Sequence, residues 1–390
     1  MNVMKAFAPG RGQVPLFFRR AMDKSVAGAS TLLESRNKQS RKKAVFTAVL
    51  FVLMLFAGVA CLTAGSSGLK FSEVIGALFN RGEASAELIV RSVRLPRVIA
   101  AAAAGAGLAL SGCIMQNVLG NPIASPSTLG VSSAAVFGAN AAIVLLGAGV
   151  YKVSQGVSFT IENPYTVTVC AFACALSAVG FILLLSLRRG FSPDTVVLSG
   201  VAAGAFFTAG TTLIQYFSAE SGVSAAVFWS FGDLGRASSR EACAVLFVSA
   251  AAFVWFFVKR RDFNALAAGE ETAKSLGVAT VRLSVISLAV ASLVCAVCVS
   301  FLGIIGFVGL VAPQAVKRFI GSDYRFLIPA SALAGAVLLL TADTLCRSVL
   351  VGTALPVGAV TSLFGAPVFL VLLLKKPGKT APFTKGVREK

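Results

Sequence analysis

Apolar runs of about 20 residues recur along this chain from residue 44 to residue 374, separated by short polar or charged breaks. A run of that length as a helix spans a hydrocarbon core of about 30 Å. Taken in order, the runs predict spans over residues 44–64, 96–117, 127–150, 165–187, 194–217, 241–258, 280–302, 304–320, 325–346 and 357–374. The expected fold is therefore an all-α polytopic membrane protein of about ten transmembrane helices.

The breaks carry their own signals. Residues 1–43 are polar and basic and are expected to be an unstructured extension. Residues 65–93 read as an external segment with a short amphipathic piece near Phe71–Phe79, and residues 151–164 as an external loop. Arg188-Arg189 marks a cytoplasmic turn. Ser192-Pro193-Asp194 then supplies an N-cap, a proline at the first helical position and an acid in the first turn, all of which favour a helix start. Residues 218–240 read as a long external loop containing Trp229-Ser-Phe-Gly-Asp233. The insert 262–278 is too polar to span. It is patterned as one or two short helices, with Gly277 as a helix stop.

Composition agrees. The chain is 56% hydrophobic and only 13% charged, against roughly 25% charged in soluble domains. Its net charge of +19 is concentrated before residue 44 and in the tail 377–390. Nucleic acid could explain basic arms, but both flank hydrophobic spans, and the positive-inside rule accounts for them better. Both termini are accordingly expected in the cytoplasm, which an even number of crossings satisfies. The first apolar run lacks a small-residue cleavage site and reads as a retained span. The eight cysteines mostly lie inside apolar runs at helical spacing and read as packing residues. With no histidine in the chain, imidazole catalysis and imidazole metal sites are excluded.

No Walker A sequence, paired carboxylates or nucleophile–base pair appears, so neither catalytic residues nor a cofactor or metal site is expected. Ion-coupled transporters place acids or histidine deep in the membrane. These spans are nearly free of them, so an active transporter of this composition must receive its energy from another protein. Three constellations remain. Arg94 and Arg97 flank a proline at the mouth of the second span, and Asp343 and Arg347 share a helix face at i, i+4. They read as interfacial anchors with a local ion pair, or as a basic surface for an acidic partner. Gln116, Asn117, Asn121 and Pro122 form a polar turn. It either satisfies backbone freed where helices stop inside a bundle or lines a pathway. The insert, with Glu270, Glu271, Thr272, Ala273, Ser275, Leu276 and Gly277, is a solvated connector or a helix that receives a push from a soluble ATPase.

Arg94-Leu-Pro-Arg97, Ser111-Gly112, Gln116, Asn121-Pro122 and Leu129-Gly130 make one block. Glu271-Thr-Ala-Lys-Ser-Leu-Gly277 makes a second. Gly306-Phe-Val-Gly-Leu310, Pro313, Arg318, Gly321-Ser-Asp323, Pro329, Gly335-Ala336, Ala342-Asp343, Arg347, Leu355-Pro-Val-Gly358 and Gly365-Ala-Pro-Val-Phe369 make a third. In these blocks the chain resembles the FecCD family of ABC importer permeases, which import iron–siderophores, haem and cobalamin. The resemblance covers about residues 44–376. It implies a type II importer permease domain of the bacterial inner membrane and a second permease subunit, identical or paralogous. It also implies a cytoplasmic ABC ATPase dimer seated on 262–278 and an extracytoplasmic binding protein docked by Arg94, Arg97 and Arg347. Gln116, Asn117, Asn121, Pro122, Ser192 and Asp194 become pathway or gate candidates. Iron–siderophore is the first expectation for the cargo, with haem or cobalamin as the alternative. Where the family places Pro-His, this chain has Pro313-Gln314. An importer of free divalent metal is disfavoured by the missing histidine and intramembrane carboxylates. A membrane enzyme or receptor without an ATPase partner is disfavoured by the insert.

Overall fold

The computed structural model describes residues 16–65, 69–79, 81–153, 157–161, 163–188, 191–349 and 355–374. The chain divides into two units, residues 1–46 and 47–390. Among the described residues, eight helical stretches are long and apolar enough to cross a membrane.

Helix α1 runs from Leu16 to Thr63, so the unstructured extension expected over residues 1–43 is not what residues 16–43 form. After Pro15 the sequence has no proline and only Gly28 as a breaker until Gly58. The basic stretch is rich in alanine, leucine, lysine and arginine, which are good helix formers. The tail 377–390 lies outside the described residues.

In the second unit α2 (Phe71–Leu78) and α3 (Ala84–Leu88) lead through a π-helical stretch, Ile89–Arg94, into α4 (Leu95–Val118). Helix α5 (Val131–Asn140) continues as π-helix to Leu145, and a β-hairpin follows, β1 (Gly149–Val153) with β2 (Val157–Ile161), where a loop was expected. Then come α6 (Pro164–Arg188), α7 (Pro193–Tyr216), α8 (Glu220–Ser230) and α9 (Ser239–Val258). The insert forms α10 (Arg260–Ala267) and α11 (Glu270–Ser275). The chain closes with α12 (Thr280–Leu302), α13 (Val308–Ile320), α14 (Tyr324–Ser348) and α15 (Val357–Leu374).

Two of the ten expected spans are short. The apolar helix after residue 130 ends at Leu145, and α13 has 13 residues. Apart from Gly149 and Val150 in β1, the lost residues are outside regular helix or strand, and such backbone is tolerated at membrane depth only where protein satisfies it. Before α13 this is visible bond by bond. Asp233 N–H donates to Leu302 O at 2.8 Å, Ile304 N–H to Ser230 O at 3.3 Å, and Gly358 N–H to Gly232 O at 3.4 Å. Phe307 then enters α13 at φ 64, a left-handed conformation that costs a non-glycine residue free energy.

Helix α4 is the centre of the bundle. Of the most apolar window in Ala84–Val118, 78% is buried. Its neighbours approach closely because the contacts are small. Gly105 faces Gly335 of α14, backbone against backbone, and Gly112 faces the carbonyl of Gly309 in α13. Small residues drive helix association in lipid, where no hydrophobic effect separates helix from tail. Helix α1 is the opposite case: between residues 49 and 59, Val49, Phe51, Val52, Leu53, Leu55, Phe56 and Val59 are exposed, an apolar face suited to lipid.

Candidate functional site

The two ends of α4 hold the two polar constellations. At its N-terminal end Asp343 is completely buried and serves two guanidinium groups. Arg97 donates to it through Nε at 2.9 Å and pairs through Nη2 at 2.8 Å. Arg347, one turn along α14, pairs at 3.0 Å. One carboxylate does not neutralise two cations plus Arg94, which is 5% exposed. The balance comes from α1. A helix leaves its last carbonyls without intrahelical partners and carries a partial negative charge at that end. Arg347 takes the carbonyls of Cys61 (2.7 Å) and Ala64 (2.8 Å), and Arg94 those of Leu62 (2.7 Å) and Thr63 (3.2 Å). Two arginines from other helices thus cap the C-terminus of α1. The Cys61 thiol sits in the same cluster, 3.4 Å from Asp343 Oδ2.

The three arginines assigned by resemblance to partner docking are therefore engaged inside the molecule. Arg97 Nη2, itself buried, also lies 3.7 Å from the half-exposed Asp233, the one exposed carboxylate at this cluster among the described residues. Asp233 also accepts from Gly235 N–H at 2.8 Å, which fixes the turn before α9. Arg236 follows, and burial lowers its pKa against the opposing pull of Asp233.

At the other end of α4, Gln116 and Asn117 come together with the turn. Gln116 Nε2 donates to Gly309 O at 3.3 Å, and Gln116 Oε1 accepts from Gln314 Nε2 at 2.8 Å. Gln314 also donates to Pro122 O at 3.3 Å. Asn121 caps its own turn by accepting from Ile123 N–H at 3.0 Å. Ser192 and Asp194 lie at the start of α7, where Ser192 makes no side-chain cap bond and Asp194 is exposed.

The insert is ordered by what it touches. Phe263 of α10 is completely buried, its ring 6.2 Å from Phe256 and 6.0 Å from Tyr324 between centroids. Asn264 Oδ1 accepts from Tyr324 N–H at 2.8 Å and so helps cap α14. Helix α11 ends in a Schellman turn: Gly277 N–H bonds Lys274 O (2.9 Å), Val278 N–H bonds Ala273 O (3.0 Å), and Gly277 has φ 80. Ala273 is buried, while Glu270, Glu271, Thr272, Ser275 and Leu276 are exposed, Leu276 by 69%. Lys274 pairs with Glu270 at 3.0 Å, and that hydrogen bond, then the carboxylate charge, raises its pKa.

Cys61, Asp233 and Asn264 were not singled out from sequence. Asp233 and Asn264 lie in segments that were, but their partners are far along the chain. Cys61 carried no signal beyond an apolar run.

Residues 52–375 match the FecCD transport family. A protein of Methanocaldococcus jannaschii, provisionally named an ABC transporter permease, is 48% identical over 336 residues, covering 86% of this chain and 96% of that one. A cobalamin import system permease protein of Halobacterium salinarum is 40% identical over 290 residues, 74% of each. The fold is similar to a solved inward-facing structure described provisionally as a metal-chelate type ABC transporter. The TM-score is 0.72 at 26% identity, over 85% of this chain and 99% of that one. Central helix, broken helices and insert all fall inside the matched residues, and the chain belongs to the FecCD transport family.

Proposed function

We propose that this chain is the membrane-spanning permease subunit of a binding-protein-dependent ABC importer for a bulky metal chelate. The observation that carries the reading is the family match over residues 52–375, which takes in the clasped arginines, the polar turn and the insert. A multi-pass transporter subunit with no nucleotide motif draws its energy from a separate ABC ATPase dimer. The ordered insert, with Leu276 displayed at the end of α11, suits that contact. A second permease, identical or paralogous, would complete the pathway, with Gln116, Asn117, Asn121, Pro122, Ser192 and Asp194 toward its gate. In this reading the insert and both termini face the cytoplasm across the inner membrane.

The test uses the full chain with its ATPase in nanodiscs. Leu276→Asp puts an unpaired charge into an apolar contact, where burial is costly. Gly277→Val forces a β-branched residue into the left-handed region, at roughly 1–2 kcal/mol. Together they are expected to weaken ATPase association at least about tenfold, the equivalent of about 1.4 kcal/mol. Unchanged association and stimulated hydrolysis would make the segment a connector.

For the cargo, iron–siderophore, haem and cobalamin share the required bulk. The Halobacterium relative's name supports cobalamin. Uptake of radiolabelled cobalamin, haem and a ferric siderophore, compared in proteoliposomes, decides among them.

Docking of the binding protein at Arg94, Arg97 and Arg347 requires its carboxylates to compete with groups already held. Asp233 is the exchangeable one. Asp233→Asn keeps the acceptor for Gly235 and removes the competing charge. If Arg97 receives a partner carboxylate, the variant should bind the binding protein about two- to fivefold more tightly at low salt, the scale of an exposed ion pair. Equal affinity would remove Arg97 from the docking surface.

A further inference from the structure

Two adjacent amides at the end of α4 face different parts of the molecule. Asn117 Nδ2 donates to the carbonyl of Phe263 in α10 at 3.1 Å. Gln116 bonds Gly309 and Gln314 of α13, and Gln314 reaches on to Pro122 in the turn. The last turn of α4 is thus bonded on one side to the insert and on the other to both segments where the helices break.

The insert side is stiff. Phe263 is locked by aromatic neighbours and Asn264 is bonded to the first amide of α14. A displacement of α10 is not absorbed in a loose side chain; it reaches Asn117. The far side is part anchored and part open: Leu119, Ala124, Ser125, Pro126, Leu129 and Gly130 are buried, and Leu129 and Gly130 pack on Gly200 and Gly204 of α7. The turn 119–130 exposes Gly120, Pro122 and Ile123. Beyond its internal bonds among Asn121, Ser125, Ser127 and Thr128, Gln314 ties its Pro122 carbonyl to α13. Gln314 does this with both N–H groups of a single nitrogen. A neutral imidazole has one N–H and cannot serve both acceptors.

We propose that Asn117 and Gln314 form a two-point linkage: Asn117 passes movement of the insert to the end of α4, and Gln314 latches the turn 119–130 to α13 until that movement arrives. Both are positioning residues; neither needs to touch cargo. The proposal rests on the reading that an ATPase seats on the insert, which the Leu276→Asp and Gly277→Val association measurement tests separately.

The experiment is hydrogen–deuterium exchange on the full permease–ATPase complex in nanodiscs, nucleotide-free and vanadate-trapped, read at backbone amides 119–130. In the parent protein the nucleotide state should change exchange there at least fivefold. Asn117→Leu, which keeps the branched shape but lacks the donor, should abolish that change while ATPase binding and ATP hydrolysis persist. Asn117→Ser, too short to reach Phe263, serves the same purpose if the leucine variant folds poorly. Gln314→Ala should show the nucleotide-bound exchange level in the nucleotide-free state, and Gln314→His an intermediate one. A parent turn that ignores nucleotide, or an Asn117 variant that responds like the parent, overturns the linkage. If the ATPase binds independently of the insert, the functional reading fails instead, and the exchange data show which of the two has fallen.

Discussion

Asp343→Ala is expected to be among the most damaging single substitutions in this chain, costing about 3–5 kcal/mol, because it strips the counter-charge from two buried arginines. Arg97 and Arg347 have side chains only 11% exposed, and Asp343 has none of its surface exposed. Neither guanidinium can lose its charge near neutral pH, so Arg347 would stay ionised with only the end of α1 for company, and Arg97 with only the half-exposed Asp233 at 3.7 Å. The damage should spread to α1, whose last four carbonyls depend on Arg94 and Arg347. Thermal unfolding in detergent should drop by many degrees, and Cys61, fully buried in the parent, should become reactive to maleimide. Asp343→Asn keeps one acceptor and should fall between. A melting temperature within a degree or two of the parent would mean the cluster contributes nothing to folding. No partner protein enters this measurement, so it separates the internal role of the arginines from any part in docking.

Gly112→Ala is expected to be the second severe change. The added methyl carbon would overlap the Gly309 carbonyl, and α4 and α13 cannot both keep their places. Overpacking typically costs about 1–3 kcal/mol when side chains can yield; here the neighbour is backbone, so the upper end is expected. Separation of the helices would also stretch the Gln116–Gly309 bond. Gly180→Ala is the control. It lies in α6 with nothing within 4 Å of the added carbon, and should be neutral or up to about 1 kcal/mol stabilising through helix propensity. Comparing folded yield and melting temperature for the pair checks the claim. Equal behaviour would show that the α4–α13 approach is not tight.

Hydropathy located most of the bundle because lipid imposes one rule on every span: enough consecutive apolar residues to cross. That rule counts residues and is blind to where a helix starts. The apolar runs 127–150 and 304–320 read as full spans. Gly130 and Phe307, both at positive φ, begin the helices late, and the positive φ at a phenylalanine has no sequence signature. The insert was legible from polarity and a terminal glycine, since its Schellman turn is local. The inward direction of Arg94, Arg97 and Arg347 was not. Arg94 and Arg347 bond carbonyls 31–32 and 283–286 residues away, and a backbone carbonyl leaves no mark on sequence; Arg97 bonds the Asp343 carboxylate 246 residues away. Gln314 stood out only as a departure from a family pattern, and its meaning needed both acceptors in view.

The cap on α1 also sets an order of events in biosynthesis. Arg94 can meet the Leu62 and Thr63 carbonyls soon after it is made, but the Asp343 carboxylate that Arg97 needs is 246 residues further on. Until α14 is synthesised, a nascent chain holds Arg97 without its buried counter-ion, with only Asp233 in reach, and α1 has only half of its terminal carbonyls covered. Chains stopped before residue 343 should therefore be recognised and cleared by membrane proteases, whereas chains that reach residue 349 should persist. Pulse-chase of released truncation products of graded length would reveal a sharp gain in half-life across that interval.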